Sequence, residues 1–367
     1  MTSKERVKTV LDHEEPDKVP IYDSLWHATI RRWQTEGLPS MVDPEDFFNY
    51  DIKVLLPDIS MQYSYEVLEQ TNEYVIERTR YGETVKNYKS RSSTPQIIDS
   101  PIKNRADWDG QQHRLTKLEG RGISNGFSAL TFEKTISLQE GLELYKSYFR
   151  KDKYIMYGVI CGFDLLQRYL GMERLLFSII DDPQWVKSML AVNTSLIISM
   201  FDLMNKAGYS FNGVFLYDDF GYKNATLISP THYKSLFMDA DIMLCDYFHK
   251  AGMKVVLHSD GYVKELIPYF IEAGIDCLQP LEVKAGMDLV ELKKLYGNRL
   301  CFMGGIDVRL YSLTDQSLLE SEIRKKFNIA KKGGGYIYHS DHSVPPDVSF
   351  MQYSNILSVV RKYGDYD

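Results

Sequence analysis

The sequence predicts a barrel of alternating parallel strands and helices, of the (β/α)8 or TIM type, with insertions in its N-terminal part. Three observations predict it. Short apolar runs rich in β-branched and aromatic residues alternate with longer amphipathic segments through the second half of the chain. Helix start and stop signals fall between those runs. Polar residues cluster just past run after run, where a parallel barrel gathers its functional groups on one face.

The runs are Tyr154–Ile160, Gly213–Tyr217, Lys254–His258, Ile275–Gln279, Leu300–Gly304 and Tyr336–Tyr338. Asp182-Pro183 and Ser229-Pro230 each offer an N-cap followed by proline at the first helical position. Ala-Gly recurs at 207–208, 251–252 and 273–274, between a helical stretch and a strand, where a left-handed helix C-cap requires glycine. Gly333-Gly334-Gly335 precedes a strand instead of opening a helix, which makes it a helix-to-strand turn and not a phosphate loop. Residues 1–150 are less regular. Lys18–Tyr22 and Val54–Leu56 read as strands, Glu73–Tyr88 as a hairpin turning at Tyr81-Gly82, and Leu138–Lys151 as a helix. The expectation is that 1–150 holds the first barrel strands plus an antiparallel and helical insertion, and 151–367 the regular repeats. No Gly/Ser/Pro-rich linker divides them, so 1–367 is read as one domain.

A length of 367 residues exceeds most single domains, and barrels are the main exception. With 44% hydrophobic and 25% charged residues the chain can bury a large core without disulfides. Its net charge of −7, with both signs interspersed, argues against nucleic acid and against an anionic membrane surface as partners. Cys161, Cys245, Cys277 and Cys301 lie far apart and form no CxxC pair, which suits reduced thiols in a cytoplasm. The charged start MTSKERVKTVLDHEEPDKVP has no apolar core of a signal peptide, and no uninterrupted apolar run of about 18 residues occurs. A cytoplasmic protein is expected.

The candidate site residues all follow strands: Asp58 after KVLLP, Asp218-Asp219 after GVFLY, and His258-Ser259-Asp260 after KVVL. Gln279 and Glu282 follow IDCL, Asp307 follows CFMGGI, and Ser340-Asp341-His342 follow GYIY. Any one is as readily a loop cap; together they describe an acidic, histidine-containing pocket. Three readings of the histidines stay open. His258, Asp260 and His342 hold Zn²⁺ or another divalent ion. His258 and Asp260 form a pair poised for proton transfer. Or the histidines satisfy buried carbonyls. Gly304-Gly305 would let a ligand approach the backbone, and Cys161 is either a pocket thiol or a small buried residue.

These segments carry a family resemblance. The opening VKTVLDHEEPDKVPIY is similar to the start of uroporphyrinogen-decarboxylase-like proteins. LLPDI at 55–59, FLYDDFGYKNATLISPTHY at 215–233 and VLHSDGYVKELIPYFIEAGIDCLQPLE at 256–282 resemble that superfamily's strand ends. So do MGGID at 303–307 and GGYIYHSDHSVPPDVS at 334–349. The resemblance implies a barrel with a cleft at the C-terminal ends of its strands, and Asp58 in the place of a substrate-facing aspartate. The decarboxylase branch carries an Arg-Gln-Ala-Gly-Arg segment for substrate carboxylates, whereas Tyr22–Thr29 here reads YDSLWHAT; its active-site tyrosine is also missing, with Leu166 near that place.

The corrinoid-dependent methyltransferase branch fits better. Its thiol-methylating members have a His-x-Cys…Cys zinc site, matched here by His258-x-Asp260 and His342. That harder donor set suits a better Lewis acid and a poorer thiolate activator. The resemblance therefore implies methyl transfer from a small, O-methylated donor to a corrinoid protein, with zinc as an optional cofactor. Catalytic roles fall to His258, Asp260, His342 and Asp219, and substrate binding to Asp58, Asp218, Gln279, Glu282 and Asp307. Two alternatives remain: decarboxylation of a smaller substrate, and a corrinoid- or tetrapyrrole-binding protein without catalysis.

Overall fold

The computed structural model describes residues 1–89, 94–124 and 135–366. At its centre lies a parallel sheet whose strands, seven among the described residues, follow chain order. They are β1 (Ile52–Leu55), β2 (Tyr154–Ile160), β3 (Gly213–Tyr217), β4 (Lys254–His258), β5 (Cys277–Gln279), β6 (Cys301–Met303) and β7 (Tyr336–Ile337). Every neighbouring pair is parallel, and helices fill the connections from β2 onward. This explains the uninterrupted apolar runs: a parallel strand covered on both faces has no solvent side to mark with polar residues. β2 is buried at every position. Its Gly158 is required by packing, since a Cβ there would lie 2.4 Å from Val54 Cγ1 on β1.

β2, β3 and β4 have the predicted limits; β5, β6 and β7 are shorter than their apolar runs. Gly304 shows why β6 stops. It has φ +116°, and a Cβ would lie 2.0 Å from the Pro280 carbonyl oxygen, which accepts the Gly305 N–H at 2.8 Å. The close approach that Gly304 permits in this structure is that of the Pro280 segment. Cys161 is the small buried residue of the two readings, with its thiol pushed well up in pKa by burial.

The segment predicted as a strand at Lys18–Tyr22 is extended but sparsely bonded. On one side Tyr22 N–H donates to Tyr338 O and Tyr338 N–H to Pro20 O; on the other Asp51 N–H donates to Ile21 O at 2.7 Å. Pro20 has no N–H to give, which thins the ladder. Asp51 compensates with its side chain, accepting from Ile21 N–H at 2.8 Å, Arg6 Nη1 at 2.7 Å and Ser3 Oγ at 2.7 Å.

The cap signals hold. Asp182 and Ser229 cap helices that have proline in the first turn, and Gly208, Gly252, Gly274 and Gly333 to Gly335 all have positive φ. Between β1 and β2 the insertion forms a four-stranded antiparallel sheet of Glu66–Gln70, Tyr74–Arg78, Thr84–Tyr88 and Gln96–Asp99. Its central hairpin pairs Arg78 with Thr84 around Tyr81-Gly82, as predicted. Helix Pro183–Lys206 is long and apolar enough to cross a membrane by length and composition, although polar residues interrupt its apolar run. Half of that window is buried within the protein, and Tyr157 of β2 donates to its Ile197 carbonyl.

Replacing Asp51 with alanine leaves Ile21 N–H unpaired and removes one carboxylate from buried Arg6. The expected loss is about 3 kcal/mol, read as a lower urea midpoint at unchanged slope; a loss under about 1 kcal/mol would refute the role.

Candidate functional site

β3, β4 and β5 end in register, with His258 opposite Tyr217 on one side and Gln279 on the other. Residues paired across a parallel ladder point the same way, so these three side chains leave the sheet together. His258 Nδ1 lies 2.5 Å from Gln279 Oε1, and the Tyr217 ring sits 5.4 Å from the imidazole, centroid to centroid. One turn of chain beyond β4, Asp260 returns beside His258. Its N–H donates to Asp219 Oδ1 at 2.8 Å, which holds Asp219 in the same place. His258 Nε2 then faces Asp219 Oδ1 at 3.6 Å and Asp260 Oδ2 at 3.8 Å. One donor atom from each of Asp219, His258 and Asp260 lies within 4.8 Å of the others. His342 Nε2 approaches the same Asp260 Oδ2 at 3.9 Å, and its ring stands by Trp26.

The other predicted residues do not join this cluster. Asp218 is buried, its Oδ1 accepting the Asp164 N–H at 2.9 Å. Glu282 accepts the Gly261 N–H at 2.9 Å and pairs with Lys284. Asp307 caps its own loop at Arg309 N and pairs with the Arg309 guanidinium. Asp58 is fully buried in an ion pair with Arg80 at 2.8 Å and bonds Ser60 N–H. Asp341 accepts from both Val283 and Val308 N–H groups. Each meets a backbone donor of a loop or of a helix's first turn, which no ladder pairs. Gln279 occupies an intermediate place, in contact with His258 but pointing its amide nitrogen inward.

Four residues near the cluster escaped the sequence reading. His339 lies under Gln279, with 3.2 Å between Gln279 Nε2 and His339 Nε2. Asp23 is buried behind His339, 3.6 Å from its Nδ1. Asp164 and Arg168 lie on the helix that follows β2, and Arg168 pairs with Glu83 of the insertion at 2.9 Å and approaches Asp164 at 3.6 Å. Alternation along the segment after β7 was the available signal for His339, two residues past Ile337. The others depend on chain packing that no local pattern encodes.

The site is electrostatically acidic. Burial raises the pKa of Asp164, Asp218 and Asp219, and lifts Glu83 to about 7 against the pull of Arg168. Burial also disfavours charge on His258, but Asp260 and Asp219 outweigh it and hold the imidazole above its ordinary pKa. Asp260 Oδ1 is buried with no hydrogen-bond partner, as is Asp218 Oδ2. The arrangement offers two carboxylates and one imidazole to a divalent cation or, without one, a stabilised imidazolium. A cavity of about 840 Å³ elsewhere, between Gln96–Asp99 and helix Met172–Asp181, touches none of these groups.

Comparison with known proteins agrees with this architecture. The family model of uroporphyrinogen decarboxylase (URO-D) matches residues 138–363, and the chain belongs to that family. Among solved structures, a methyltransferase from Methanosarcina mazei superposes with a TM-score of 0.67 at 14% identity, covering 99% of this chain and 98% of that one. A B12-independent methionine synthase from Shewanella sp. W3-18-1 gives a TM-score of 0.48 at 9% identity over 95% and 94% of the two chains. No curated protein matches the sequence.

Beneath Asp218 lies Asp241, buried and raised to about 7 by that burial, with Tyr233 Oη–H donating to it. A carboxyl raised on folding adds stability that is complete below its unfolded pKa and is lost as pH rises through its folded one. Asp241→Asn keeps the acceptor for Tyr233 and removes the titration. The variant should gain on the native protein as pH climbs from about 4 to 7, by up to roughly 4 kcal/mol. Parallel stability curves for the two proteins across that window would contradict this.

Proposed function

We propose that the chain is a methyltransferase of the URO-D family that moves a methyl group from a small, oxygen-linked donor to the corrinoid of a partner protein. The observation that carries the reading is the convergence of Asp219, His258 and Asp260 from neighbouring strand ends, with a buried Asp260 oxygen left unpaired. On this reading 1–367 is one domain, and the extended Lys18–Tyr22 segment is the eighth strand that closes a (β/α)8 barrel around the site. Family membership and the full-length likeness to a methyltransferase support it.

The donor set fits a divalent ion: oxygen and nitrogen atoms, already grouped, and one carboxylate oxygen lacking any partner. Zinc bound there would supply Lewis acidity to the departing oxygen. The protein's own part is orientation. Gln279 holds the His258 ring, the Asp260 N–H holds Asp219, and Tyr217 and Trp26 wall the mouth beside the two histidines. A corrinoid on the partner would supply the electron pair that takes up the methyl carbon as the donor's carbon–oxygen bond is cleaved. The oxygen keeps the pair of the broken bond and takes a proton, for which His342, partly exposed at the mouth, is placed. Uroporphyrinogen carries eight carboxylates and needs cations, whereas Tyr22–Thr29 contains no arginine. Carboxyl loss from that compound at about 1 per second or faster would favour the decarboxylase alternative.

His258→Ala should abolish methyl transfer and leave the thermal midpoint nearly unchanged, because stability determinants in barrels lie toward the opposite face. Loss of bound zinc along with activity identifies a metal ligand. A rate loss on the order of 10²–10⁴-fold at constant metal content identifies proton transfer instead. The readouts are metal content and the cobalt(I)-to-methylcobalt absorbance change; a variant that transfers at the native rate would overturn the site.

A further inference from the structure

We infer that His339, acting through Gln279, is a positioning residue that fixes His258 as its Nδ1–H tautomer and so leaves the Nε2 lone pair facing Asp219 and Asp260. The inference follows from the polarity of a chain of hydrogen bonds. His339 Nδ1 lies 2.5 Å from the Ser340 carbonyl oxygen. A carbonyl has no hydrogen to give, so Nδ1 carries the proton. His339 is buried, and that burial lowers its pKa against the pull of Asp23, which favours the neutral ring. A neutral imidazole protonated at Nδ1 accepts at Nε2. Two groups meet that nitrogen: Ser24 Oγ at 3.1 Å and Gln279 Nε2 at 3.2 Å, the amide nitrogen lying farther, at 3.5 Å, from the protonated Nδ1.

The amide of Gln279 is thereby oriented. Its NH₂ is directed at His339, so its oxygen is directed at His258 Nδ1, 2.5 Å away. An oxygen acceptor there requires His258 to donate from Nδ1, and the remaining nitrogen, Nε2, is the one that faces the two carboxylates at 3.6 and 3.8 Å. A glutamine is the informative choice, because its two ends differ. Without His339 the amide could turn over, present NH₂ to His258 and enforce the opposite tautomer, with Nε2 protonated and closed to a cation. Partners of this kind set the tautomer of a ligating histidine.

The test has two arms. The tautomer arm uses metal-free protein with ¹⁵N-labelled histidine in mildly alkaline buffer, with His258 assigned by comparison with His258→Asn. Long-range ¹H–¹⁵N spectra should show Nδ1 protonated and Nε2 bare; a protonated Nε2 overturns the inference. The affinity arm rests on the cation-site reading and uses Zn²⁺ alone, titrated in competition with a chromophoric chelator. His339→Phe keeps a ring but removes its lone pair, and should weaken Zn²⁺ binding about 10–100-fold. Adding Gln279→Glu should restore affinity to within about threefold, since a carboxylate accepts at either oxygen and needs no orientation. Native-like affinity in His339→Phe, or no recovery in the double variant, would overturn the positioning role. If the unaltered protein binds no Zn²⁺, the cation-site reading falls, and the tautomer spectrum still decides this one. The same spectrum decides it if His339→Phe fails to fold.

Discussion

The ends of the parallel strands impose the constraint on which the rest of the structure depends. The loops and helix starts that follow the strands carry backbone N–H groups that no ladder pairs, and each must find an acceptor or remain unpaired at a cost of about 1–3 kcal/mol. This chain answers with carboxylates reaching sideways. Asp218 takes the N–H of Asp164, Asp219 that of Asp260, Glu282 that of Gly261, and Asp341 those of Val283 and Val308. Every bond ties one strand-end loop to another. The acidity of the mouth is thus first a device for holding loops, and the reactive cluster is what that device leaves over.

That division explains what could be read from the sequence and what could not. The strands were legible because burial on both faces writes them as apolar runs, and β2, β3 and β4 match theirs residue for residue. The later strands end early for reasons outside the run, as at Gly304, where the Pro280 carbonyl occupies the space of a side chain. The helix limits were legible because caps are local chemistry. The site was legible only as a set. Nothing in DDFG distinguishes Asp218, which bonds a buried amide, from its neighbour Asp219, which faces His258. Adjacent residues on an extended segment point to opposite sides, and which side is the mouth is decided by the register of three strands. Asp58 looked identical in kind, yet Arg80 from the insertion neutralises it.

The relay behind His258 extends the same logic inward. Asp23 accepts from Ser340 N–H and from Tyr353 Oη, and this fixes the turn that carries His339. His339 orients Gln279, and Gln279 orients His258. Each member is buried or half-buried and bonded on both sides, the condition under which a polar network specifies one geometry instead of several. A histidine at the mouth of a sheet otherwise has two tautomers and two ring flips available. Here the strand register supplies the position and the relay supplies the proton's place.

An excess of carboxylates over cationic groups is what the proposed divalent cation would offset. Asp164, Asp218, Asp219 and Asp260 gather at the ends of β2, β3 and β4, and the positive groups near them include Arg168, Lys284 and, when protonated, His258 and His342. Arg168 already serves Glu83 and Asp164. Two unit charges about 4 Å apart repel by roughly 4 kcal/mol at an effective dielectric constant of 20. The upward pKa shifts of Asp164, Asp218 and Asp219 express that strain together with burial. Protonating His258 relieves one charge and closes its Nε2. A divalent ion would relieve two, use that nitrogen, and give the unpaired Asp260 oxygen a partner. The proposed occupant would thus draw on carboxylates that already hold loops together, and on the one face of His258 that the relay leaves open.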